Sequence, residues 1–430
     1  MNGNNEYLEK LFNPNSIAVI GVSKTPGKIG HDVMSNIVGC GFRGPLYPVS
    51  HKYAEVQDIR CYKSILDVTD EIDLAVVLSP EDFVPKVLEE LGVKGVKVVA
   101  VLSGSREGPL KDKIAHISRK YGIRIIGPSS LGIYHSKSRL NATPIALNTG
   151  ERGVALISES KALGISMVSY GLSEGIGFSA VIGTGGKADI AEQDLLDYLS
   201  MEDEVKSILV HIDTLNDPKE LIEALRRAVK RKPVAVITGS RGVSKKLESL
   251  KKDVPIFSDF VTAFDFSALF TGRGIVGRRT LVITNSRGAE NLLMAYLENS
   301  PIELPELNKK FVEDVRMFTP DGSSLSNPMN LTSEAGPEIF REVIECANLH
   351  GEEFDFILAL YCETNRSELE KFGEILIEIK DLTSKPIIPI VIGGEKAREI
   401  VKELRRAGIS SYYTLEGVGK SLGTLMKYLM

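Results

Sequence analysis

Short apolar runs rich in Val and Ile recur along the whole chain and alternate with longer segments of mixed character. Within each run the apolar residues are continuous, which is typical of parallel strands that helices cover on both faces. The runs are IAVI (17–20), LYPV (46–49), LAVVL (74–78), KVVAVL (97–102), RIIG (124–127), VALI (154–157), SAVI (179–182), SILV (207–210), VAVI (234–237), LVI (281–283), FILAL (356–360) and IIPIVI (387–392). The pattern predicts an α/β protein built on parallel sheets.

The segments between the runs have the period of amphipathic helices. In PKELIEALRRAVKRK (218–232) the apolar residues Leu221, Ile222, Leu225 and Val229 fall on one helical face. Basic residues gather near the end of this segment, where they favour the negative end of the helix dipole.

Twelve strands are too many for one doubly wound sheet, and 430 residues exceed a single core. Polar, glycine-containing stretches lie near residues 140–152 and 271–279. We therefore predict three doubly wound, Rossmann- or flavodoxin-like domains, over residues 1–145, 150–270 and 276–430. Ligands of such sheets bind beyond the carboxyl ends of the strands.

The composition of the chain disfavours some classes of function. The net charge is −5, with 43% hydrophobic and 25% charged residues, which disfavours a nucleic-acid binder. No apolar run reaches the roughly 20 residues of a membrane span, and the start MNGNNEYLEK lacks a signal-peptide pattern. We expect a cytoplasmic protein with neither a nucleic-acid nor a membrane partner.

Two further features of the composition bear on source and metal chemistry. Two glutamines, no tryptophan and abundant Lys, Glu, Ile and Val resemble the composition of thermophile proteins. The four cysteines are scattered, with no C-x-x-C pair, so we expect neither disulfides nor a metal site. They are Cys40, Cys61, Cys346 and Cys362.

The first strand ends in the glycine-rich turn IGVSKTPGKIGHDV (20–33), which differs from the dinucleotide fingerprint. Such a turn still lets a phosphate approach backbone N–H groups at a helix start. The alternative is a plain glycine turn with a solvated lysine. The predicted ligand-binding residues of this first domain are Gly21, Ser23, Lys24, Gly27, Gly30, Lys52, Ser79, Pro80, Ser129 and Ser130.

The second predicted domain opens with VALISESKALGISM (154–167), another strand, polar turn and helix. Ser158 and Ser160 are candidate donors to an anion. Glu159 would repel an anion and Lys161 would attract one, so the electrostatics of this turn are mixed.

Two candidates in this domain, Asp189 and the His211–Asp213 pair, have competing interpretations. Asp189 can cap the helix that follows it or act in catalysis, and the capping role is the more common one. His211 and Asp213 alternate on one strand and can form a general base with its orienting carboxylate. A histidine inside a strand is, however, more often a structural residue.

Three strand ends lead into similar Ser-Arg turns, AVLSGSREG (100–108), AVITGSRG (235–242) and LVITNSRG (281–288). Arg106, Arg241 and Arg287 are therefore candidate ligand contacts, with Ser240 as a further donor, because arginine offers a planar fork to phosphate or carboxylate. The alternative is chance, since Ser, Arg and Gly are common turn residues.

Several motifs together resemble one family. They are LFNPNSIAVIGVS, YPVSHKY, DEIDLAVVLSP, YGIRIIGPSSLGI, LNAT, GVALISESKALG, GFSAVIGTGGKADI and NPMNL, from residue 11 to about 331. The chain resembles the α-type subunit of NDP-forming acyl-CoA synthetases (acetate–CoA ligase, ADP-forming), relatives of the succinyl-CoA synthetase α subunit. The resemblance implies a first domain that binds CoA or acyl-CoA, a second that carries a phosphorylated histidine, and a third ligase-like domain. It also implies a homo- or hetero-oligomer in which a β-type nucleotide-grasp subunit brings the nucleotide.

The motifs that carry chemistry in this family are altered here. After VAVITG the sequence continues SRGVSKKLESLKKDVPIFSDF, and no histidine occurs between His211 and His350. Asp213 stands where the family has a glutamate that steadies the phosphohistidine. Without the nucleophile the phosphoenzyme route is closed. The sequence thus predicts a divergent α-type protein that binds CoA or acyl-CoA without this mechanism, as a pseudoenzyme or regulatory subunit; the alternative is an active ligase α subunit with a separate β subunit.

Overall fold

A computed structural model describes residues 3–147, 153–215, 217–298, 300–350, 352–365 and 368–428. All twelve predicted runs form strands, which confirms the α/β class. The strands are β1 (Ile17–Ile20), β2 (Leu46–Val49), β3 (Glu55–Val56), β4 (Ile59–Arg60), β5 (Leu74–Val77), β6 (Val98–Val101), β7 (Arg124–Ile126), β8 (Ile133–His135), β9 (Leu140–Ala142), β10 (Gly153–Ser158), β11 (Phe178–Gly183), β12 (Val205–His211), β13 (Val234–Ile237), β14 (Ile256–Phe257), β15 (Thr280–Thr284), β16 (Met329–Asn330), β17 (Phe356–Cys362) and β18 (Ile387–Ile392).

Helices connect and cover these strands. They are α1 (Gly3–Phe12), α2 (Ile29–Gly39), α3 (Val84–Lys94), α4 (Pro109–Tyr121), α5 (Lys161–Ser173), α6 (Glu192–Leu199), α7 (Lys219–Val229), α8 (Arg241–Lys246), α9 (Phe260–Ala268), α10 (Arg287–Leu297), α11 (Lys309–Arg316), α12 (Pro337–Leu349), α13 (Leu369–Ile379), α14 (Glu395–Arg406) and α15 (Leu415–Tyr428). In the part of the chain that the structure describes, no helix is long and apolar enough to cross a bilayer.

The first sheet has the order β2-β1-β5-β6-β7, and all its strands are parallel. The chain winds outward from β1 to β2 and then crosses back to β5 on the other side. Because the winding direction changes at β1, the carboxyl end of this strand is the topological switch point, where open α/β sheets bind ligands.

The second sheet has the order β14-β13-β12-β10-β11-β8-β9. Its first five strands are parallel, and β8 and β9 are added antiparallel beside β11. Here β10 lies between β11 and β12, so the switch point is the carboxyl end of β10. The third sheet, β16-β15-β17-β18, is parallel, and its switch point is the end of β15.

The tertiary contacts group the chain into two compact units. Unit 1 comprises Met1–Tyr170 and Gly177–Ser258, and unit 2 comprises Gly171–Ile176 and Asp259–Met430. The first two sheets share unit 1 because one apolar core contains buried residues of both, such as Val19 and Ile157. The expected three-domain division therefore stays a prediction, and its first linker falls partly on residues 148–152, outside the described residues.

Two elements near the predicted boundaries make their main contacts on the other side of those boundaries. Strands β8 and β9, placed by sequence in the domain 1–145, pair with the second sheet. The contacts assign α9 to unit 2, where it packs against α15, although the predicted second domain extended to residue 270. Both differences arise because local composition marks polar stretches and carries no information on long-range pairing.

Unit 2 buries a small ionic group around Arg405. Its guanidinium donates to the backbone oxygens of Glu174 and Ser411, both at 3.0 Å, and lies 4.0 Å from the Asp265 carboxylate. Burial raises the pKa of Asp265 to about 6, although the charge of Arg405 opposes this shift. The cost of desolvating the ionised Asp265 carboxylate is thus larger than the stabilisation that its ion pair with Arg405 provides.

Asp265→Asn should stabilise the protein near neutral pH. A carboxyl group with a raised folded-state pKa favours folding at low pH, and this contribution is lost as pH rises from 3.8 to about 6. We expect the variant to gain roughly 1–3 kcal/mol in unfolding free energy at pH 7 and to lose this pH dependence. Urea denaturation from pH 4 to 7 measures it, with the exposed Asp381→Asn as control. A variant less stable than the parent at pH 7 would contradict this assignment.

Candidate functional site

A cavity of about 500 Å³ opens at the carboxyl ends of β1, β2 and β5. It therefore occupies the switch point of the first sheet, the place that the topology favours for a ligand. The residues that line it include Gly21, Val22, Val49, Ser50, His51, Lys52, Lys63, Ser64, Leu78, Ser79, Pro80, Phe83, Lys86 and Glu90. Four predicted residues, Gly21, Lys52, Ser79 and Pro80, thus line one cavity.

The turn between β1 and α2 depends on glycine at two positions. Gly21 has a φ of +93°, and a Cβ there would lie 3.0 Å from the backbone of Leu78 and Ser79. A Cβ at Gly30 would lie 2.4 Å from the carbonyl oxygen of Gly21. The helix start is therefore packed directly on the turn, and Gly21 and Val22 of the turn line the cavity. Ser23, Lys24 and Gly27 lie in this same turn.

The charge of the cavity comes from exposed lysines. Lys52, Lys63 and Lys86 lie at its rim, and Glu90 is the acidic residue among its lining groups. Phe83, 60% exposed, adds an aromatic face. Sequence reasoning found Lys52 and missed Lys63, Lys86 and Phe83, because they do not follow a strand of the first sheet directly.

Ser129 and Ser130 lie on the loop that follows β7, outside the lining of this cavity. The Ser130 hydroxyl is fully buried, donates to the Gly183 carbonyl at 2.6 Å and accepts from the Gly132 N–H at 2.9 Å. A Cβ at Gly185 would lie 2.2 Å from the carbonyl oxygen of Pro128. Through these contacts Ser130 joins the loop after β7 to the end of β11, which is a structural role.

The switch point of the second sheet holds the Glu159 cluster, formed by Glu159, Arg106, Lys187, Glu192 and Asp213. Glu159 follows β10 directly and is 1% exposed. Arg106 bridges two carboxylates, donating to Glu159 at 2.5 Å and to Asp213 at 3.2 Å. Lys187 lies 3.1 Å from Glu159 and 3.5 Å from Glu192. The cluster joins loops that follow β6, β10, β11 and β12.

Glu159 receives further hydrogen bonds from the turn after β12. The N–H groups of Asp213 and Thr214 donate to it at 2.8 and 2.9 Å, and the Thr214 hydroxyl also donates. Burial alone would raise the pKa of Glu159, but the bonds from Thr214 and the charge of Lys187 hold this pKa below its usual value. Burial does raise the pKa of Glu192. Glu159 is therefore the charged centre of the cluster.

His211 lies at the end of β12 and is 2% exposed. Its Nδ1 lies 3.2 Å from the Ser158 hydroxyl and its Nε2 lies 3.1 Å from the Asp213 carboxylate. Burial lowers the pKa of His211, against the opposing charges of Asp213 and Glu159. The structure brings the predicted His211–Asp213 pair together, with both ring nitrogens next to protein groups.

The remaining anion candidates of unit 1 lie at helix starts. Ser158 is buried and its hydroxyl donates to the Ser160 carbonyl at 3.0 Å, while the Ser160 hydroxyl accepts from the Leu163 N–H. Ser240 caps the six-residue helix α8, whose first residue is the exposed Arg241. Asp189, expected as a helix cap, instead pairs with Arg124 at 3.0 Å; α6 begins later, after Ala191.

The three Ser-Arg turns are not equivalent in the fold. Arg106 belongs to the Glu159 cluster, Arg241 follows β13 away from a switch point, and Arg287 is exposed at the start of α10, after β15. Similar strand-to-turn sequences thus lie at topologically different sheet positions, and sequence similarity alone does not reveal this.

Comparisons with known proteins agree with the fold. Residues 15–136 match the family model of a CoA binding domain, and residues 151–254 match that of a succinyl-CoA ligase like flavodoxin domain. The α subunit of ADP-forming acetate–CoA ligase I from Pyrococcus furiosus is 33% identical, over 98% of this chain and 97% of its own length. The chain belongs to the family of ADP-forming acetate–CoA ligase α subunits.

Other relatives of this family extend the comparison. The ADP-forming acetate–CoA ligase of Methanocaldococcus jannaschii is 33% identical over 99% of this chain, which spans 64% of that longer protein. Among solved structures, the apo form of dinucleotide-forming acetyl-coenzyme A synthetase 1 from Ca. Korarchaeum cryptofilum has a TM-score of 0.90 at 29% identity. This match covers 98% of this chain and 97% of the other. The family fold therefore extends through both units of this member.

Glu159→Gln should destabilise this family member by roughly 3 kcal/mol near neutral pH, because it removes the buried charge that Arg106 and Lys187 share. Since the pKa of Glu159 is lowered on folding, its contribution is present above about pH 4.5 and is lost as pH falls through the lower folded value. The stability difference should thus shrink in acid. Urea denaturation measures it, with the exposed Glu107→Gln as matched control. Equal stability of Glu159→Gln and parent at pH 7 would contradict the role of the cluster.

Proposed function

We propose that this chain is an α-type protein of its family that binds CoA or acyl-CoA at the first sheet without forming a phosphohistidine. The cavity volume of about 500 Å³ falls in the range of small-molecule sites. Lysines at its rim suit the phosphate groups of CoA, and its apolar wall with Phe83 suits the uncharged portions of the ligand.

The loop after β13 is the main observation in support of a role without a phosphohistidine. This strand leads into the short helix α8, and no histidine occurs in the sequence between His211 and His350. His211 is a poor substitute, because it is buried and its ring nitrogens face Ser158 and Asp213. A covalent nucleophile has to be accessible to the group that it attacks.

The electrostatics of the Glu159 cluster support the same proposal. Arg106 and Lys187 would be the natural partners of a phosphoryl group at the second switch point, since both are cationic and adjoin it. The carboxylates of Glu159, Asp213 and Glu192 pair with them instead. A phosphate that entered here would have to displace a protein carboxylate.

The alternative function is an active acyl–CoA ligase α subunit that works with a separate β-type, nucleotide-grasp subunit. Its support is the similarity to an α subunit over nearly the whole chain, and the greater length of the Methanocaldococcus relative. In either case we propose a cytoplasmic protein in a homo- or hetero-oligomer, with any nucleotide held through the partner. Ser160, Ser240, Arg241 and Arg287 remain proposed anion contacts.

Isothermal titration calorimetry with CoA tests the binding proposal. Lys52→Ala should weaken binding about tenfold or more, because a hydrogen bond to a charged group is worth roughly 1.5–3 kcal/mol. Gly27→Ala should weaken it too, since Gly27 has a φ of +79° in the turn. Lys113→Ala, an exposed lysine on α4, should leave the affinity unchanged. No heat with the parent protein would remove the CoA assignment.

Incubation with radiolabelled ATP, with and without any co-purifying β-type subunit, tests the missing phosphoenzyme. We expect no acid-labile label on this chain, because the nucleophile is absent. Label that persists in alkali and is lost in acid would establish the active alternative. The variant His211→Gln then locates it, since loss of the label would identify His211 as the acceptor.

A further inference from the structure

Three metal-ligating side chains meet in unit 2, on two neighbouring helices. Asp314 lies on α11, Cys346 lies on α12, and His350 follows the last residue of α12. One ligand atom of each residue lies within 4.8 Å of the others. The His350 Nε2 atom is already 2.8 Å from the Asp314 carboxylate.

The helix geometry explains why these groups converge. Cys346 and His350 are four residues apart, so both project from the same side of α12, and α11 packs against α12. The buried Phe311 on α11 lies with its ring 6.1 Å from the imidazole of His350, which restricts the ring on that side. Among the three residues Cys346 is buried, His350 is partly buried and Asp314 is exposed.

We propose that Asp314, Cys346 and His350 form a binding site for a divalent transition metal of the Zn²⁺ type. One sulfur, one imidazole nitrogen and one carboxylate oxygen form a donor set that zinc accepts, with water in the fourth tetrahedral position. Hard cations such as Mg²⁺ prefer oxygen ligands, so the thiolate selects against them. The site lies outside the segments matched to the family models, which end at residue 254.

The local distances need small adjustments to hold the ion. Ligands roughly 2.0–2.3 Å from a tetrahedral zinc lie about 3.3–3.8 Å apart. The His350–Asp314 separation of 2.8 Å must therefore widen, and the exposed Asp314 side chain has room to turn. On binding, the thiol proton of Cys346 leaves to solvent and the sulfur coordinates as thiolate, so net proton release accompanies the metal.

Sequence reasoning missed this site because it searched for cysteine pairs. The relevant signal is C-x-x-x-H at 346–350, one helical turn that ends at a helix terminus. The third ligand, Asp314, is 32 positions before Cys346 and lies on another helix. Only the packing of α11 on α12 brings it near the other two.

Titration of the full-length, chelator-treated protein with Co²⁺, followed by Zn²⁺, tests the proposal. We expect one Co²⁺ per chain, with a thiolate-to-cobalt charge-transfer band and the intense d–d bands of four-coordination, and Zn²⁺ should displace it. Cys346→Ser should abolish the charge-transfer band. Asp314→Asn and His350→Gln should each weaken binding about 10–100-fold or more, the loss that even outer-shell changes produce. Cys362→Ser and His116→Gln are the matched controls and should bind like the parent.

A second readout covers the case in which Cys346→Ser fails to fold. Zn²⁺ should raise the Tm of the parent protein and should have a much smaller effect on Asp314→Asn, whose altered residue is exposed. Absence of a charge-transfer band in the parent, or its persistence in Cys346→Ser, would overturn the site. Unchanged affinity in Asp314→Asn would equally overturn it.

Discussion

The buried carboxylate of Glu159 is the interaction on which unit 1 depends. An ionised carboxylate with 1% exposure is tolerable only when charges and hydrogen-bond donors replace its water. Arg106 comes from the loop after β6 of the first sheet, and Lys187 and Thr214 come from loops of the second. One desolvated charge thereby ties the carboxyl edges of two sheets together, beside the apolar core that they share.

The same interaction underlies the non-catalytic role that we propose for that edge. A catalytic anion site needs donors that are preorganised and aimed at the charge of the ligand. Here the donors are aimed at protein carboxylates, and under the proposed function the groups that would stabilise a phosphoryl transfer stabilise the fold instead. The binding capacity of the chain is thus expected at the first sheet, where the cationic groups Lys52, Lys63 and Lys86 are exposed.

Elements that local sequence determines were predictable, and those set by long-range contacts were not. The strands followed from continuous apolar runs, because both faces of a parallel sheet are covered. The short strands β3, β4, β8, β9, β14 and β16 were missed, since each has only two or three residues and depends on its neighbours for pairing. Arg106 was predicted as a contact to a bound anion, and the fold places it in an ion pair with Glu159 and Asp213. These partners are 53 and 107 residues away along the chain, so the sequence did not reveal the pairing.

The turn glycines and the rim lysines of the first cavity differ in what they indicate about a ligand. Gly21 and Gly30 are required by close backbone packing, so the turn would need them even if nothing bound there. The rim lysines have no such structural necessity, because they are exposed and contribute little to packing. Three cations at the mouth of one cavity raise the local potential for anions, and the fold gains little from them beyond the Lys86–Glu90 pair at 4.0 Å. The rim lysines therefore indicate a phosphate-bearing ligand more strongly than the glycine turn does.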